Sequence, residues 1–423
     1  MLQVNQIREN REFIERGLAK RNKDYSQNLS DILALDDSRK KTQKELDDLL
    51  AEGNLIAKEI GQLLKNGQMA EAEQRKQRTV ELKESSKALE ISLQKIEEDL
   101  KAQLYLVPNV PHESVVFGKG ADENVECFSW GKRPVFDFEA KAHWDIASQF
   151  DLIDFELGNK ITGAGFPVYR NLGARLQRAL INFFLDEAQK AGYEEYMLPH
   201  MVNEESGYGT GQLPDKEGQM YHVQVDNLYL IPTAEVPLTN IFRDVILKEE
   251  QLPLKLTGYT PCFRREAGSY GKDVRGLNRL HQFDKVEIVQ IANPTDSYRI
   301  LEEMLEHVKG LLQKLGLEFR ILRLCGGDMG FASACTYDFE VYSAAQQRWL
   351  EVSSTSNFET FQSNRLKCRF KGKDGKPQLV HTLNGSALAL PRIVAALLEN
   401  HQDASGVVIP EVLRPWCGFD RIG

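Results

Sequence analysis

The sequence predicts an α+β fold, an antiparallel sheet flanked by helices, with an N-terminal antiparallel two-helix coiled-coil arm. Three observations carry this. Apolar residues between positions 28 and 104 recur at three-four spacing on both sides of one turn, Lys65-Asn66-Gly67-Gln68. Beyond residue 105 the sequence becomes aromatic and glycine-rich, with strand-like stretches at 255–291, 318–324 and 337–354. Amphipathic helical patterns precede those stretches at 172–190 and interrupt them at 301–315. The expected division is therefore residues 1–104, an N-terminal domain carrying the arm, and residues 105–423, a mixed body.

Taking the elements in order, residues 1 to about 27 read as a short helix and a linker. The first arm helix has its seam at Ile32, Leu35, Leu46, Leu49, Ile56, Ile60 and Leu63, with Arg39, Thr42 and Gly53 filling the remaining positions. The second has Leu82, Leu89, Leu93, Ile96 and Leu100, with Thr79 and Ser86 in register. At 1.5 Å per residue such an arm is roughly 50–55 Å long. A two-helix seam buries little, so the arm is expected to be less stable than the body; a spacer or dimerisation coil is the alternative use. Val107-Pro108-Asn109-Val110-Pro111 ends the second helix, because proline cannot continue it.

In the body, Trp144 to Phe155 reads as helical and Gly163-Ala164-Gly165 as a loop. Leu172 to Lys190 is a long amphipathic helix leading into Tyr196-Met197-Leu198-Pro199, a strand ending in proline. Residues 337–354 give two strands joined by Ala345-Gln346-Gln347, and His381 to Ser386 precedes a helix running to His401.

Composition narrows the class. A chain of 423 residues with 42% hydrophobic content suffices for a large core plus an appendage. The N-terminus is charged from the start, which argues against a secretory signal, and no apolar run reaches membrane-spanning length. Cysteines 127, 262, 325, 335, 368 and 417 include no C-x-x-C pair, so buried free thiols of a cytoplasmic protein are expected and no zinc site. A net charge of −9 argues against indiscriminate nucleic-acid binding, although local basic patches remain possible RNA contacts.

The stretch 255–291, KLTGYTPCFRREAGSYGKDVRGLNRLHQFDKVEIVQI, organises the rest. It reads as two strands joined by a long polar loop whose Gly268, Gly271 and Gly276 suit a mobile segment approaching a ligand. Alternation puts Phe283 and Glu287 on one face of the second strand and Val286 and Ile288 on the other; Cys262, Arg264 and Glu266 share a face of the first. An aromatic ring for a base and a guanidinium for phosphate or carboxylate indicate a nucleotide site. Ordinary ion pairs on a solvated sheet face are the alternative on residue type alone.

Phe263 to Glu266 (FRRE) and Arg279 to Glu287 (RLHQFDKVE) resemble motif 2 of the class II aminoacyl-tRNA synthetases, and most closely the form found in seryl-tRNA synthetases. The helix-strand-proline unit ending at Pro199 resembles motif 1, implying a homodimer; SALALPRIVAALLEN resembles motif 3; YGTGQLP at 208–214 and LIPTAE at 230–235 also match. The resemblance implies a class II antiparallel sheet and a two-step reaction. ATP and L-serine give seryl-adenylate, and serine then passes to the 3′ end of its tRNA, with a selenocysteine tRNA as a second acceptor. Arg264 and Arg392 become the catalytic cations, bridging the α-phosphate with the serine carboxylate and holding the γ-phosphate. Arg264, Arg265, Glu266, Phe283, Glu351, Val352, Ser353, Ser354 and Arg392 become the ATP site, with Glu266 reading the adenine amino group and Phe283 stacking on the ring. Glu351 and Ser354 are the implied Mg²⁺ ligands. Thr233, Ala234, Glu235, Arg264, Glu287, Asn384 and Ser386 become the serine site. The arm becomes a tRNA-binding element, with a distal band of Lys58, Lys65, Arg75, Lys76 and Arg78, although acidic residues outnumber basic ones there by 16 to 13.

Attack of an ionised carboxylate on phosphorus needs alignment and charge neutralisation rather than a general base, which is why cations dominate this set. Three positions depart from the family pattern: Arg265, Asn278 beside Arg279, and Pro391 where glycine is usual. Proline is tolerated in a first helical turn, so no loss of activity is expected there. The competing readings are a family offshoot that loads a carrier protein, expected to lack the arm, and a catalytically inactive binding paralogue, expected to have lost the arginines.

Overall fold

The computed structural model describes residues 1–215, 217–266 and 275–423. The chain forms two compact units, Met1–Ala19 with Lys23–Pro108, and Lys20–Asn22 with Asn109–Gly423.

The first unit holds α1 (Val4–Glu9), α2 (Arg11–Ala19), α3 (Ser26–Lys65) and α4 (Met69–Leu106). The N-terminal stretch thus forms two short helices where one was expected. With 40 residues, α3 is about 60 Å long. It pairs along its length with α4 across a turn in which Gly67 takes φ +77°. The seam follows the predicted spacing. Ile32, Leu46, Ile56, Leu82 and Leu100 are buried, Leu35, Leu49, Ile60, Leu63, Leu89, Leu93 and Ile96 are partly buried, and Ala72 extends the seam towards the tip. One charge is buried with it. Asp36 receives Arg8 at 2.9 Å, Arg39 at 3.0 Å and Lys40 at 2.7 Å. Burial alone favours its neutral form, but the hydrogen bonds of Lys40, Arg39 and Arg8 prevail and hold its pKa at about 2.

The second unit is organised by an eight-stranded sheet among the described residues. Its strands are β1 (Val125–Trp130), β2 (Glu194–Glu195), β3 (Leu254–Phe263), β4 (Gln282–Ala292), β5 (Phe319–Arg323), β6 (Cys335–Ser343), β7 (Arg348–Asn357) and β8 (His381–Ala389). They lie in the order β1-β5-β6-β7-β8-β4-β3-β2. Each described pairing is antiparallel except that of β2 with β3. Three helices, α5 (Asn171–Lys190), α6 (Ser297–Lys314) and α7 (Leu390–Asn400), contribute to the core together with the sheet. Phe183, Phe184, Met304, Leu311, Ile393 and Leu397 meet Val286 and Ile288 of β4 there. α7 is buried nearly all round, as its apolar run demands, with nine of its eleven residues in the interior. Emptying one such leucine position costs about 2–5 kcal/mol.

Two local expectations change. The helix expected over 144–155 is confined to His143–Gln149, because Asp151 at φ +50° breaks the run, and a separate helix, Phe155–Ile161, begins where Asp154 caps it by accepting from the Leu157 amide at 2.7 Å. The strand expected at Tyr196 to Pro199 lies just before it, at Glu194–Glu195, although the Tyr196 amide still donates to the Thr257 carbonyl at 2.8 Å. Cys127 is exposed, and the other five thiols are buried and free. No helix among the described residues is long and apolar enough to cross a membrane.

Candidate active site

β4 supplies the floor. Its alternation sends Val286 and Ile288 into the core and leaves Phe283, Lys285 and Glu287 on the opposite face. Register sets Glu287 beside Gly258 of β3 on one side and Ser386 of β8 on the other. Above this face lies a cavity of about 720 Å³, lined by residues drawn from 210–215 and 217–220, by Pro232, Thr233 and Glu235, and by residues of β6, β7, β8 and the first turn of α7.

One end of the cavity is a carboxylate pocket. Glu287 is 2% and Glu235 6% exposed. The Oε2 atom of Glu287 accepts from Lys285 at 2.5 Å and from Thr233 at 3.3 Å. Glu235 accepts from the Gln362 amide at 2.6 Å, and Gln362 is itself fixed by Thr382 at 2.6 Å. Burial and the neighbouring Glu287 push the Glu235 carboxyl up to about 7, against the opposing pull of Gln362, Lys285 and Asn384. Asn384 and Ser386 of β8 complete the wall.

The other end is cationic and aromatic. The Arg264 guanidinium sits 5.2 Å from the Phe283 ring centroid, and its Nε donates to the Pro232 carbonyl at 3.3 Å. Glu266 is paired with Arg279 at 3.0 Å. Arg392, in the first turn of α7, donates from Nη1 to the Glu351 carbonyl at 2.6 Å and from Nε to the Asn278 carbonyl at 3.1 Å. Glu351 and Ser354 lie on β7, and register places Asp338 of β6 opposite Ser354. Asp338 keeps a buried Oδ1 without a hydrogen-bond partner among the described residues. Burial, and then the carboxylate of Glu351, raise its pKa well above the usual carboxylate range.

Of the residues expected from the sequence, Thr233, Glu235, Arg264, Glu266, Phe283, Glu287, Glu351, Val352, Ser353, Ser354, Asn384, Ser386 and Arg392 all line this one cavity. Three of the residues singled out from the sequence lie off the lining of this cavity. Ala234 is wholly buried in a separate apolar cluster with Leu238 and Leu256. Arg265 does not line the cavity; its guanidinium lies 6.0 Å from the Tyr221 ring and its amide donates to the Gln219 carbonyl. Cys262 shares the face of Phe283 by register but is fully buried and does not line the cavity. Strict alternation also stops early, because β3 ends at Phe263 and Glu266 adopts φ +47°. Gly268 and Gly271 lie outside the described residues. Gly276 takes φ +65°, where a Cβ would fall 2.3 Å from His143 Nε2.

Sequence reasoning missed Lys285, Arg279 and Asp338. The alternation that found Phe283 and Glu287 also passes through Lys285; the other two require the register of distant strands. The departure at Asn278 has an account: its side chain is buried and bonds Gln346 at 3.0 Å while its carbonyl holds Arg392. In the arm, Lys58 and Lys65 are exposed, while Arg75 meets Glu59 at 3.4 Å, Lys76 meets Glu73 at 2.8 Å and Arg78 meets Glu52 at 3.0 Å and Glu81 at 3.2 Å.

This sheet and this cavity are those of a class II synthetase core. Residues 221–401 match the tRNA synthetase class II core domain (G, H, P, S and T), and residues 1–111 match the seryl-tRNA synthetase N-terminal domain. A serine–tRNA ligase of Salinibacter ruber is 50% identical over 93% of this chain and 92% of its own. One from Caldicellulosiruptor saccharolyticus is 48% identical over the full length of both. The crystal structure of seryl-tRNA synthetase from Pyrococcus horikoshii complexed with ATP superposes with a TM-score of 0.91 at 35% identity, covering 100% of this chain and 99% of that one. The chain belongs to the seryl-tRNA synthetase family, class II enzymes that use ATP to attach serine to tRNA.

Proposed function

We propose that the cavity on β4 carries out both half-reactions, forming seryl-adenylate and passing serine to the 3′ end of its tRNA. The observation that carries this reading is the gathering of a buried carboxylate pocket and a cationic, aromatic end in one 720 Å³ space. Serine's ammonium goes to Glu235 and Glu287, and its hydroxyl to the polar wall of Thr233, Asn384 and Ser386. A wall built to hydrogen-bond a hydroxyl rejects alanine, whose entry leaves those groups unpaired.

Arg264 stands between the two ends and bridges the serine carboxylate and the α-phosphate. Phe283 offers its ring to adenine, Glu266 its carboxylate to the adenine amino group, and Arg392 its guanidinium to the γ-phosphate. With both reactants anionic, these cations supply alignment and neutralisation. The oxygen donors Glu351 and Ser354, with the unpartnered Asp338 oxygen beside them, fit Mg²⁺, which prefers one or two carboxylates plus phosphate oxygens. Bound there with ATP, the metal would neutralise phosphate charge.

The arm is read as the tRNA-binding element, through Lys58, Lys65, Arg75, Lys76 and Arg78, with a selenocysteine tRNA as a second acceptor. The family match of residues 1–111 supports this use. The chain is further read as a cytoplasmic homodimer with α5 and the segment ending at Pro199 in the interface. Serine-dependent ATP–pyrophosphate exchange across the twenty amino acids tests the central reading; exchange with another amino acid in preference to serine would overturn it. Analytical ultracentrifugation at micromolar concentration tests the dimer.

A further inference from the structure

The carboxylate pocket holds an unbalanced set of charges, and this deepens the reading of it as the serine pocket, on which the inference rests. Three ionisable side chains meet there, all nearly buried: Glu287 at 2%, Glu235 at 6% and Lys285 at 6% exposure. Lys285 is committed to Glu287 at 2.5 Å, and both described bonds to that carboxylate fall on Oε2. Among the described residues, the donors to Glu235 are neutral. Gln362, from the helix Thr360–Leu366, bonds it at 2.6 Å, and Asn384 of β8 adds a second amide. Among the described residues the charged groups acting on it are Glu287 and Lys285 from β4, with Arg264 at the cavity's other end and held by the Pro232 carbonyl. Two carboxylates against one ammonium leave one negative charge in excess, in a place where an unpaired buried charge is strongly disfavoured.

We propose that L-serine enters this pocket in exchange for a proton: its ammonium replaces a hydrogen held by the Glu235 carboxyl, while Lys285 stays fixed as the positioning cation of Glu287. The balance closes without another reactant. The empty pocket is neutral with Glu235 protonated; the filled pocket is neutral with Glu235 ionised against the ammonium, and one proton leaves to solvent. The upward displacement of the Glu235 carboxyl to about 7 agrees in sign, since the empty site keeps its proton near and below neutral pH and gives it up when a cation arrives.

Calorimetric titration of the full-length enzyme with L-serine, in buffers of differing ionisation enthalpy, reads the exchange directly. The expected release is about one proton per site at pH 6, falling towards zero by about pH 8.5. Serine affinity falls about tenfold per pH unit below neutrality on the same account. Lys285→Gln should raise the serine KM about tenfold or more with the ATP KM unchanged, and should still release about one proton, because a single ammonium neutralises one carboxylate while the other keeps its proton. Lys285→Arg should restore the serine KM towards the wild-type value. A buffer-independent heat at pH 6–7 in the wild type overturns the exchange, as does a Lys285→Gln enzyme whose serine and ATP constants change together. The underlying pocket reading fails differently: Glu287→Gln then leaves serine binding unaltered, whereas weakened binding in that variant together with no proton release by the wild type sinks the exchange alone.

Discussion

Helices α3 and α7 solve the same problem of hiding apolar residues in opposite ways. α3 buries five of its 40 residues, spaced along one narrow stripe, and presents charge on the rest of its surface. α7 buries nine of eleven and holds Arg392 in its first turn, where the guanidinium is fixed by two carbonyls. The arm therefore depends on length and local propensity, the body on dense packing. A site that must hold groups to within fractions of an ångström belongs on the second kind of support. An element that meets a large partner by shape tolerates the first.

The largest expected effect lies in the body. Arg264→Ala should lower serine-dependent pyrophosphate exchange by about 10²-fold or more, the usual loss when a cation on a developing charge is removed. Exchange within a few-fold of wild type would take Arg264 out of the chemistry. Replacing the distal arm, residues 44–90, with a short turn should leave exchange intact and abolish most tRNA charging; normal charging by that enzyme would make the arm a spacer. Glu287→Gln should raise the serine KM about tenfold while the ATP KM stays put, because Phe283 and Glu287 occupy different ends of one strand face. Triple replacement of Arg75, Lys76 and Arg78 by alanine should reduce the salt slope of tRNA binding by up to about three with exchange untouched.

The smallest effect concerns the arm's base. The folded pKa of Asp36 lies below its unfolded value, so its contribution is present above about pH 4 and lost as the pH falls through about 2. Hydrogen exchange of α1 and the first turns of α3 should therefore accelerate between pH 4 and 2 in the wild type, and already at neutral pH in Asp36→Asn. Unchanged protection in that variant would show that the buried apolar seam alone holds α1.

How much of this was legible in the sequence differs between the two regions for a physical reason. Arm packing is set by one period within one stretch of chain, so the seam from Ile32 to Leu100 could be read directly, down to the polar positions Thr79 and Ser86. The active site is assembled from residues far apart, and only motif resemblance brought Arg392 and Glu351 to Arg264. Local alternation succeeded on β4, where the strand is long and regular. It failed past Phe263, where β3 ends, and it gave no reason to exclude Ala234, whose small side chain fits an apolar cluster a single residue from two cavity positions. Asp338 became visible only when β6 was laid against β7.

The surface ion pairs of the arm bear on discrimination. Arg75, Lys76 and Arg78 each already face a carboxylate at 2.8 to 3.4 Å. On the proposed reading, a phosphate does not fill an empty seat there; it must displace an anion that is covalently part of the protein and always present. A single stray phosphate gains little by that swap, since exposed pairs are nearly balanced against water. A rigid duplex that offers several phosphates at the right spacing makes all the swaps together. The acidic residues between the basic ones thus act as a threshold, and an arm that is net negative can ignore most RNA while still gripping the one whose shape lets every exchange occur at once.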